Sequence, residues 1–228
     1  PACGSGNFLI NSYKELSQIE IKIFKKLQAI NPSKWSIASP GIKLSQFYGI
    51  SIQDFDIQIA MVSIQIVRHQ MYAEFQEIFN VIEPTLPLVP LTNIHCANAL
   101  QVDWEKICIK DKSYEIFIVG NPPFSGTKMQ KSDQKKDMID IHGKSSKALS
   151  CDYVSCWFKK AADYIVDTKN SMSFVSTNSI IQGIQVGMLW PQILKNNNYI
   201  FFAHKPFKWK NNARDNATVS VIIIGIRS

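Results

Sequence analysis

No stretch of this chain is apolar and uncharged for long enough to span a bilayer, and no signal-peptide pattern opens it, so no membrane partner is expected. The five cysteines (Cys3, Cys96, Cys108, Cys151, Cys156) form no CxxC pair and have no histidine at metal-ligand spacing, which argues against a zinc site. Reduced thiols of a cytoplasmic protein are the expectation. No internal repeat is present. There is also no initiating methionine: the chain starts at Pro1, inside what reads as a motif, and is expected to be a piece of a longer protein.

With 228 residues, 46% of them hydrophobic, the chain suits one large α/β domain over residues 1–228. The net charge of +7 fits a polyanionic partner without requiring one. The basic residues are unevenly spread. Lys128, Lys131, Lys135, Lys136, Lys144 and Lys147 crowd one segment, and Lys205, Lys208, Lys210 and Arg214 another. A lysine run is most often a solvated face, and position is what raises a nucleic-acid reading here.

Helical and strand patterns alternate. A loop over residues 1–6 leads into a helix from about Asn7 to Leu27, then "NPSKWSIASPG" (31–41) reads as a loop and "FYGISI" (47–52) as a strand. Asp54 is a plausible N-cap for a helix to about Met71, and a Pro-rich connector (84–90) precedes a short strand at 94–96. A strand at 115–119 is followed by a polar, lysine-rich stretch from Ser125 to Ser150 that is expected to be mobile. A helix (152–165), a strand (172–177), a helix (186–195) and two strands (199–204, 218–226) complete the chain. The last two strands are joined too closely for a crossover helix, so one antiparallel strand is expected at or near the edge of a mostly parallel sheet.

Two loops carry chemical signals. In "PACGSGNFL" (1–9), Gly4 and Gly6 sit ahead of a helix, where backbone can approach a ligand and free amides are available. A lone GxG is a weak signal. In "EIFIVGNPPF" (115–124), an apolar strand runs into two prolines, which hold Asn121 and Pro122 rigid and extended at the end of the sheet. That edge is where open α/β sheets bind ligands.

In combination and order, "PACGSGNFL", "YGISI", "ANAL" and "NPPF", with "SFVSTNSIIQG", "FAHKPFKW" and "VIIIG" later in the chain, resemble class I S-adenosylmethionine-dependent DNA methyltransferases of the adenine-N6 type. The similarity covers essentially the whole chain and is strongest to the Mme-like (type IIG/IIL) fused restriction–modification enzymes. It implies a Rossmann-like α/β fold: a mostly parallel seven-stranded sheet with one antiparallel strand, helices on both faces, and a first strand ahead of residue 1. It also implies that Ala2, Cys3, Gly4 and Gly6 carry the methionine part of S-adenosylmethionine, beside Asn7 and Phe8. Ser51 stands where the family has a glutamate for the ribose; Ile52 would pack on the cofactor adenine, and Asn98 and Ala99 would read its edge. Ile52 as a core residue and Asn98 as a turn residue are the plain alternatives.

The resemblance gives the NPPF stretch a role. Asn121 and Pro122 would accept the two N–H bonds of an exocyclic amine, Pro123 would fix that geometry, and Phe124 would stack on a base flipped out of double-stranded DNA. Phe207 or Trp209 would complete the aromatic clamp, with Lys128 and Lys208 at phosphates. No metal is implied, and His142 and His204 are not needed as bases. Target-recognition and any nuclease parts would lie elsewhere in the longer chain. The rival readings are a methyltransferase acting on glutamine side chains or RNA, and a degenerate DNA-binding scaffold that has lost cofactor.

Overall fold

The computed structural model describes residues 1–32, 39–81, 88–144, 146–209 and 219–228. Parts of the expected loop at 31–41 and connector at 84–90, together with Lys210 and Arg214, lie outside the described residues. The chain divides into two compact units, Cys3–Ala97 and a second made of Pro1–Ala2 with Asn98–Ser228.

The first unit is built on two long helices, α1 (Asn7–Ile30) and α2 (Asp54–Phe79), with a two-stranded parallel sheet of β1 (Gly49–Ser51) and β2 (Ile94–Cys96). α1 starts where Gly6 takes a left-handed φ of 87°. The cap of α2 is Gln53 and not the expected Asp54, which lies one residue inside it in the first turn with Asp56, where a carboxylate still complements the helix dipole. Asn80, left-handed at φ 51°, closes α2. Tyr13 and Ile21 of α1 meet Ile64, Met71 and Phe75 of α2 in a shared core, joined by Leu44 and Phe47. Phe75 and Phe79 pack with their rings tilted by 53° and centroids 4.9 Å apart. Fully burying each such side chain stabilises the fold by roughly 1.5–3 kcal/mol.

The second unit holds a four-stranded sheet in the order β3 (Phe117–Gly120), β4 (Ser171–Thr177), β6 (Val219–Arg227), β5 (Tyr199–Trp209). β3 and β4 are parallel, and β6 runs antiparallel to both of its neighbours, one place in from the edge. The edge strand β5 carries Pro206 within an irregularity between His204 and Phe207, a place where a missing N–H costs no ladder bond. The helices are α3 (Trp104–Ile107), α4 (Ser132–His142), α5 (Ser155–Tyr164) and α6 (Gly183–Ile193). Phe158 of α5 is fully buried against Phe174 of β4, centroids 5.4 Å apart, and Trp190 of α6, 6.3 Å apart.

Two expectations are corrected. The described residues form an α/β fold with six strands in two small sheets, not one seven-stranded sheet. The remaining strand was expected ahead of residue 1, outside this sequence. The lysine-rich stretch 125–150 contains α4, flanked by short 3₁₀ turns at Thr127–Met129 and Lys147–Ser150. It is held in place because α4 buries Asp137 and Met138, and because Thr127 and Gln130 bond to the carbonyls of Ser150 and Cys151.

Candidate functional site

In the first unit, the loop ahead of α1 is fixed by main-chain bonds. The Cys3 N–H donates to the Ile50 carbonyl at 3.0 Å, Gly6 N–H to Cys3 at 2.9 Å, and Ile10 N–H to Gly6 at 2.9 Å. A Cβ on Gly6 would lie 2.9 Å from Cβ of Ala60, so α2 comes as close to this turn as backbone allows. Gly4 also has a left-handed φ, 51°, but a Cβ there would meet nothing within 4 Å. The loop is therefore packed behind Gly6 and open in front of Gly4, a cradle a ligand can approach. Burial pushes the Cys3 thiol above its ordinary value, so it is no ready nucleophile.

Asn7 is exposed and Phe8 half-buried at the start of α1. Ser51 ends β1; it is buried, and its carbonyl accepts from the Ala97 N–H at 2.8 Å. Ile52 follows at 69% exposure, which excludes the plain core alternative for that residue.

In the second unit, residues 98–104 are fixed by side chains instead. Asn98 Oδ1 accepts from the Leu100 N–H at 3.0 Å, while its Nδ2 donates to Asp137 Oδ2 at 3.1 Å. The buried Ala99 offers its carbonyl to the Trp104 indole at 2.7 Å. Lys160 Nζ donates to the carbonyls of Leu100 and Val102 at 2.8 and 2.6 Å and lies 5.5 Å from the centroid of the Trp104 ring. Burial pulls the pKa of Lys160 down. Asp137, 2% exposed, also accepts from Gln101 Nε2 at 3.0 Å and the Tyr153 hydroxyl at 2.6 Å. Burial and the Asp137 carboxylate push the Tyr153 phenol well above its usual range, so it stays a donor. Asn98 thus makes a turn-type bond to its own loop, and its amide has a second partner in Asp137.

β3 delivers Asn121, Pro122, Pro123 and Phe124 to its end. Pro122 is buried, Pro123 exposed, Phe124 and Asn121 half-buried. The Oδ1 atom of Asn121 is buried and accepts no hydrogen bond. The other such atoms among the described residues are Ser176 Oγ, Asn198 Oδ1 and Arg227 Nε, none of which follows a strand into a proline pair. Beyond Phe124, the Ser125 carbonyl accepts from the Tyr153 N–H at 2.9 Å, which ties the loop to the start of α5. Lys128 is exposed on the turn after it. Phe207 and Trp209 project from β5 with ring centroids 6.3 Å apart, each more than a third exposed, with Lys208 exposed between them.

Asp137, Gln101, Tyr153 and Lys160 are absent from the sequence expectations. Met138 and Ile141, three apart, are the faint mark of a docked face on α4, and nothing in the linear chain sets Asp137 apart from Asp133 or Asp140. Among the described residues no group of His, Cys, Asp and Glu could hold a metal ion, and no helix is long and apolar enough to cross a membrane.

Comparison with known proteins matches residues 1–228 to the family described as MmeI, DNA-methyltransferase domain. DNA methyltransferase A of Bacillus subtilis (strain 168) is 46% identical over 226 residues, covering 99% of this chain and 26% of the relative. The structure of the type IIL restriction-modification enzyme MmeI in complex with DNA superposes with a TM-score of 0.88 at 39% identity, over 99% of this chain and 30% of that one. The type ISP enzyme LlaBIII bound to DNA shares the fold, with a TM-score of 0.60 at 14% identity, over 100% of this chain and 16% of that one. The chain thus spans about a quarter of the length of its curated relative. With a family match along its whole length and a solved relative of the same fold, this chain belongs to the MmeI DNA-methyltransferase domain family.

Proposed function

We propose that this chain is the part of a longer restriction–modification protein that methylates the N6 amine of adenine in a specific sequence of double-stranded DNA, with S-adenosylmethionine as donor. The observation that carries the reading is the unpartnered, buried Oδ1 of Asn121. Leaving such an acceptor empty costs about 1–3 kcal/mol, so an acceptor of this kind at a sheet end points to a donor supplied by substrate. That MmeI was solved with DNA supports DNA as the substrate.

The donor, when bound, supplies a methyl group made electrophilic by its sulfonium. The chain's own residues address the other partner. An adenine amine is a poor nucleophile because its lone pair is delocalised into the ring. Asn121 Oδ1 and the Pro122 carbonyl, accepting its two N–H bonds, favour a pyramidal nitrogen and free that lone pair. One N–H proton would pass to solvent as the nitrogen gains the methyl group, whose bond to sulfur breaks and leaves the thioether. Phe124 stacks on the flipped base, and Phe207 and Trp209 supply further aromatic surface, with Lys128 and Lys208 at phosphates. Gly4, Gly6 and Cys3 with Ala2, Asn7 and Phe8 would hold the donor's methionine end, Ser51 the ribose, Ile52 the ring face, and Asn98 and Ala99 the ring edge. The open side of the loop at Gly4 and the exposed Ile52 fit that group.

The test is mass spectrometry of duplex DNA incubated with the full-length parent and methyl-labelled donor. Label on adenine N6 is expected. Label on cytosine, or on RNA or protein glutamine in place of DNA, overturns the proposal.

A further inference from the structure

We propose that Asp137 is a positioning residue whose carboxylate sets the amide of Asn98 to match the donor–acceptor edge of an adenine ring. This rests on the proposed role of Asn98 toward the cofactor.

An amide can be turned over at little cost unless its partners forbid it. Here both do. A carboxylate oxygen only accepts, so the atom 3.1 Å from Asp137 Oδ2 is the NH₂ group. A backbone N–H only donates, so the atom 3.0 Å from the Leu100 nitrogen is the oxygen. With those bonds made, Asn98 retains one lone pair on oxygen and one N–H on nitrogen. That pair complements adenine, whose amino group donates and whose neighbouring ring nitrogen accepts. A 6-oxo purine shows the reverse pattern and would need the amide turned over.

Asp137 is well placed to enforce the choice. It is 2% exposed and lies on α4, 39 residues from Asn98. Its two oxygens are held by Gln101 and Tyr153 as well as by Asn98, and it makes no ion pair among the described residues. The carboxylate therefore cannot swing away without stranding two other donors. The Leu100 N–H alone would orient Asn98 by a neutral bond; the charge-assisted one roughly doubles the preference.

The experiment uses the full-length protein and titration calorimetry with two probes, S-adenosylhomocysteine and its 6-oxo analogue S-inosylhomocysteine. Because the readout is the ratio of the two dissociation constants on one preparation, a partly unfolded sample does not distort it. The parent is expected to prefer the adenosyl compound by about tenfold or more, as for one well-placed hydrogen bond pair. In Asp137→Asn, an amide opposite an amide accepts either orientation, and the ratio should fall to about threefold or less. Asp137→Ser, which replaces the acceptor-only group with a smaller hydroxyl that can donate or accept, should show the same fall. Asp137→Glu, which keeps an acceptor-only group, should restore much of the ratio. A parent-like ratio in either Asn or Ser variant overturns the proposal while leaving Asn98 in its role, provided Asn98→Ala loses the preference. If Asn98→Ala itself keeps the parent ratio, the role assigned to Asn98 falls and the inference falls with it.

Discussion

Two loops, one in each unit, are held by opposite means. The loop at Cys3–Phe8 is fixed by main-chain bonds between Cys3 and Ile50 and between Gly6 and Cys3, with a glycine pressed against Ala60. The loop at 98–104 is fixed by side chains, namely Asn98 on Asp137, Trp104 on the Ala99 carbonyl, and Lys160 on two carbonyls. A loop of the first kind is indifferent to most side-chain chemistry and intolerant of added volume. A loop of the second kind is the reverse: its shape survives only as long as particular donors and acceptors do. Substitutions in the two loops should therefore fail for different reasons.

The largest effect is expected at Gly6. Gly6→Ala places a Cβ 2.9 Å from Ala60 Cβ at a φ of 87°. Overpacking of about 1–3 kcal/mol and left-handed strain of about 1–2 kcal/mol together predict a stability loss of roughly 2–5 kcal/mol. Adding Ala60→Gly should return part of the steric loss, offset by about 1 kcal/mol for a glycine inside α2, and none of the strain. Gly4→Ala, with open space around its Cβ, should cost about 1–2 kcal/mol for strain alone. Denaturant titrations that rank Gly4 and Gly6 equally would mean α2 is not what confines this loop.

Asn121→Ala comes next and acts on rate, not on fold. Losing one preorganised acceptor for the amine should lower methylation by about 10²–10³ with cofactor affinity nearly unchanged. Because Oδ1 has no partner to lose, the fold should hold or gain slightly. Turnover near the parent value would remove Asn121 from the chemistry.

Lys160→Met and Cys3→Ala make the comparison directly. Lys160 serves two carbonyls, and a bond to a charged group contributes about 1.5–3 kcal/mol; with Lys160 only partly buried, a loss of about 2 kcal/mol is expected. Cys3 is held through its backbone, and its side chain packs over Gly49, so truncation should cost about 1 kcal/mol or less. Equal losses from the two, measured by chemical denaturation, would erase the distinction between the loops.

The same contrast explains what could be read from the linear chain. Main-chain architecture leaves local marks. Glycines ahead of an amphipathic run, β-branched residues before a proline pair, and a short link between the last two strands put α1, β3 and the antiparallel β6 close to where they are found. Side-chain architecture leaves few. The sequence around α4 reads as mobile chain because it is polar and lysine-rich, and the residues α4 buries are an aspartate and a methionine. Asp137 can be buried because donors arrive from Asn98, Gln101 and Tyr153, which are 39, 36 and 16 residues away. No window of sequence contains that arrangement. The sheet count failed for a different reason: family likeness implied a further strand ahead of residue 1 and a single sheet, whereas the described residues form six strands in two sheets.

An effect of the opposite sign is expected at Ser51, where the family likeness calls for a carboxylate. If this position faces the ribose, Ser51→Glu should tighten cofactor binding, since a charged acceptor can hold two hydroxyls and serine one at best. Hydrogen bonds to charged groups contribute about 1.5–3 kcal/mol, which is roughly a 10- to 150-fold change in dissociation constant. Two features of the structure pull the expectation to the lower end. Ser51 is buried, so the new charge loses hydration before it gains a partner. Its backbone is also committed, with the Ser51 carbonyl accepting from the Ala97 N–H at 2.8 Å, so the strand cannot shift to make room for the longer side chain. Gln53 and Asp54 follow within three residues, and the exposed Ile52 leaves the end of β1 open to solvent on that side. A gain of about tenfold is therefore the expected result of calorimetry on the full-length variant against its parent. Equal or weaker binding would mean that the ribose is held by other residues, or that this chain does not bind the cofactor in the family's manner.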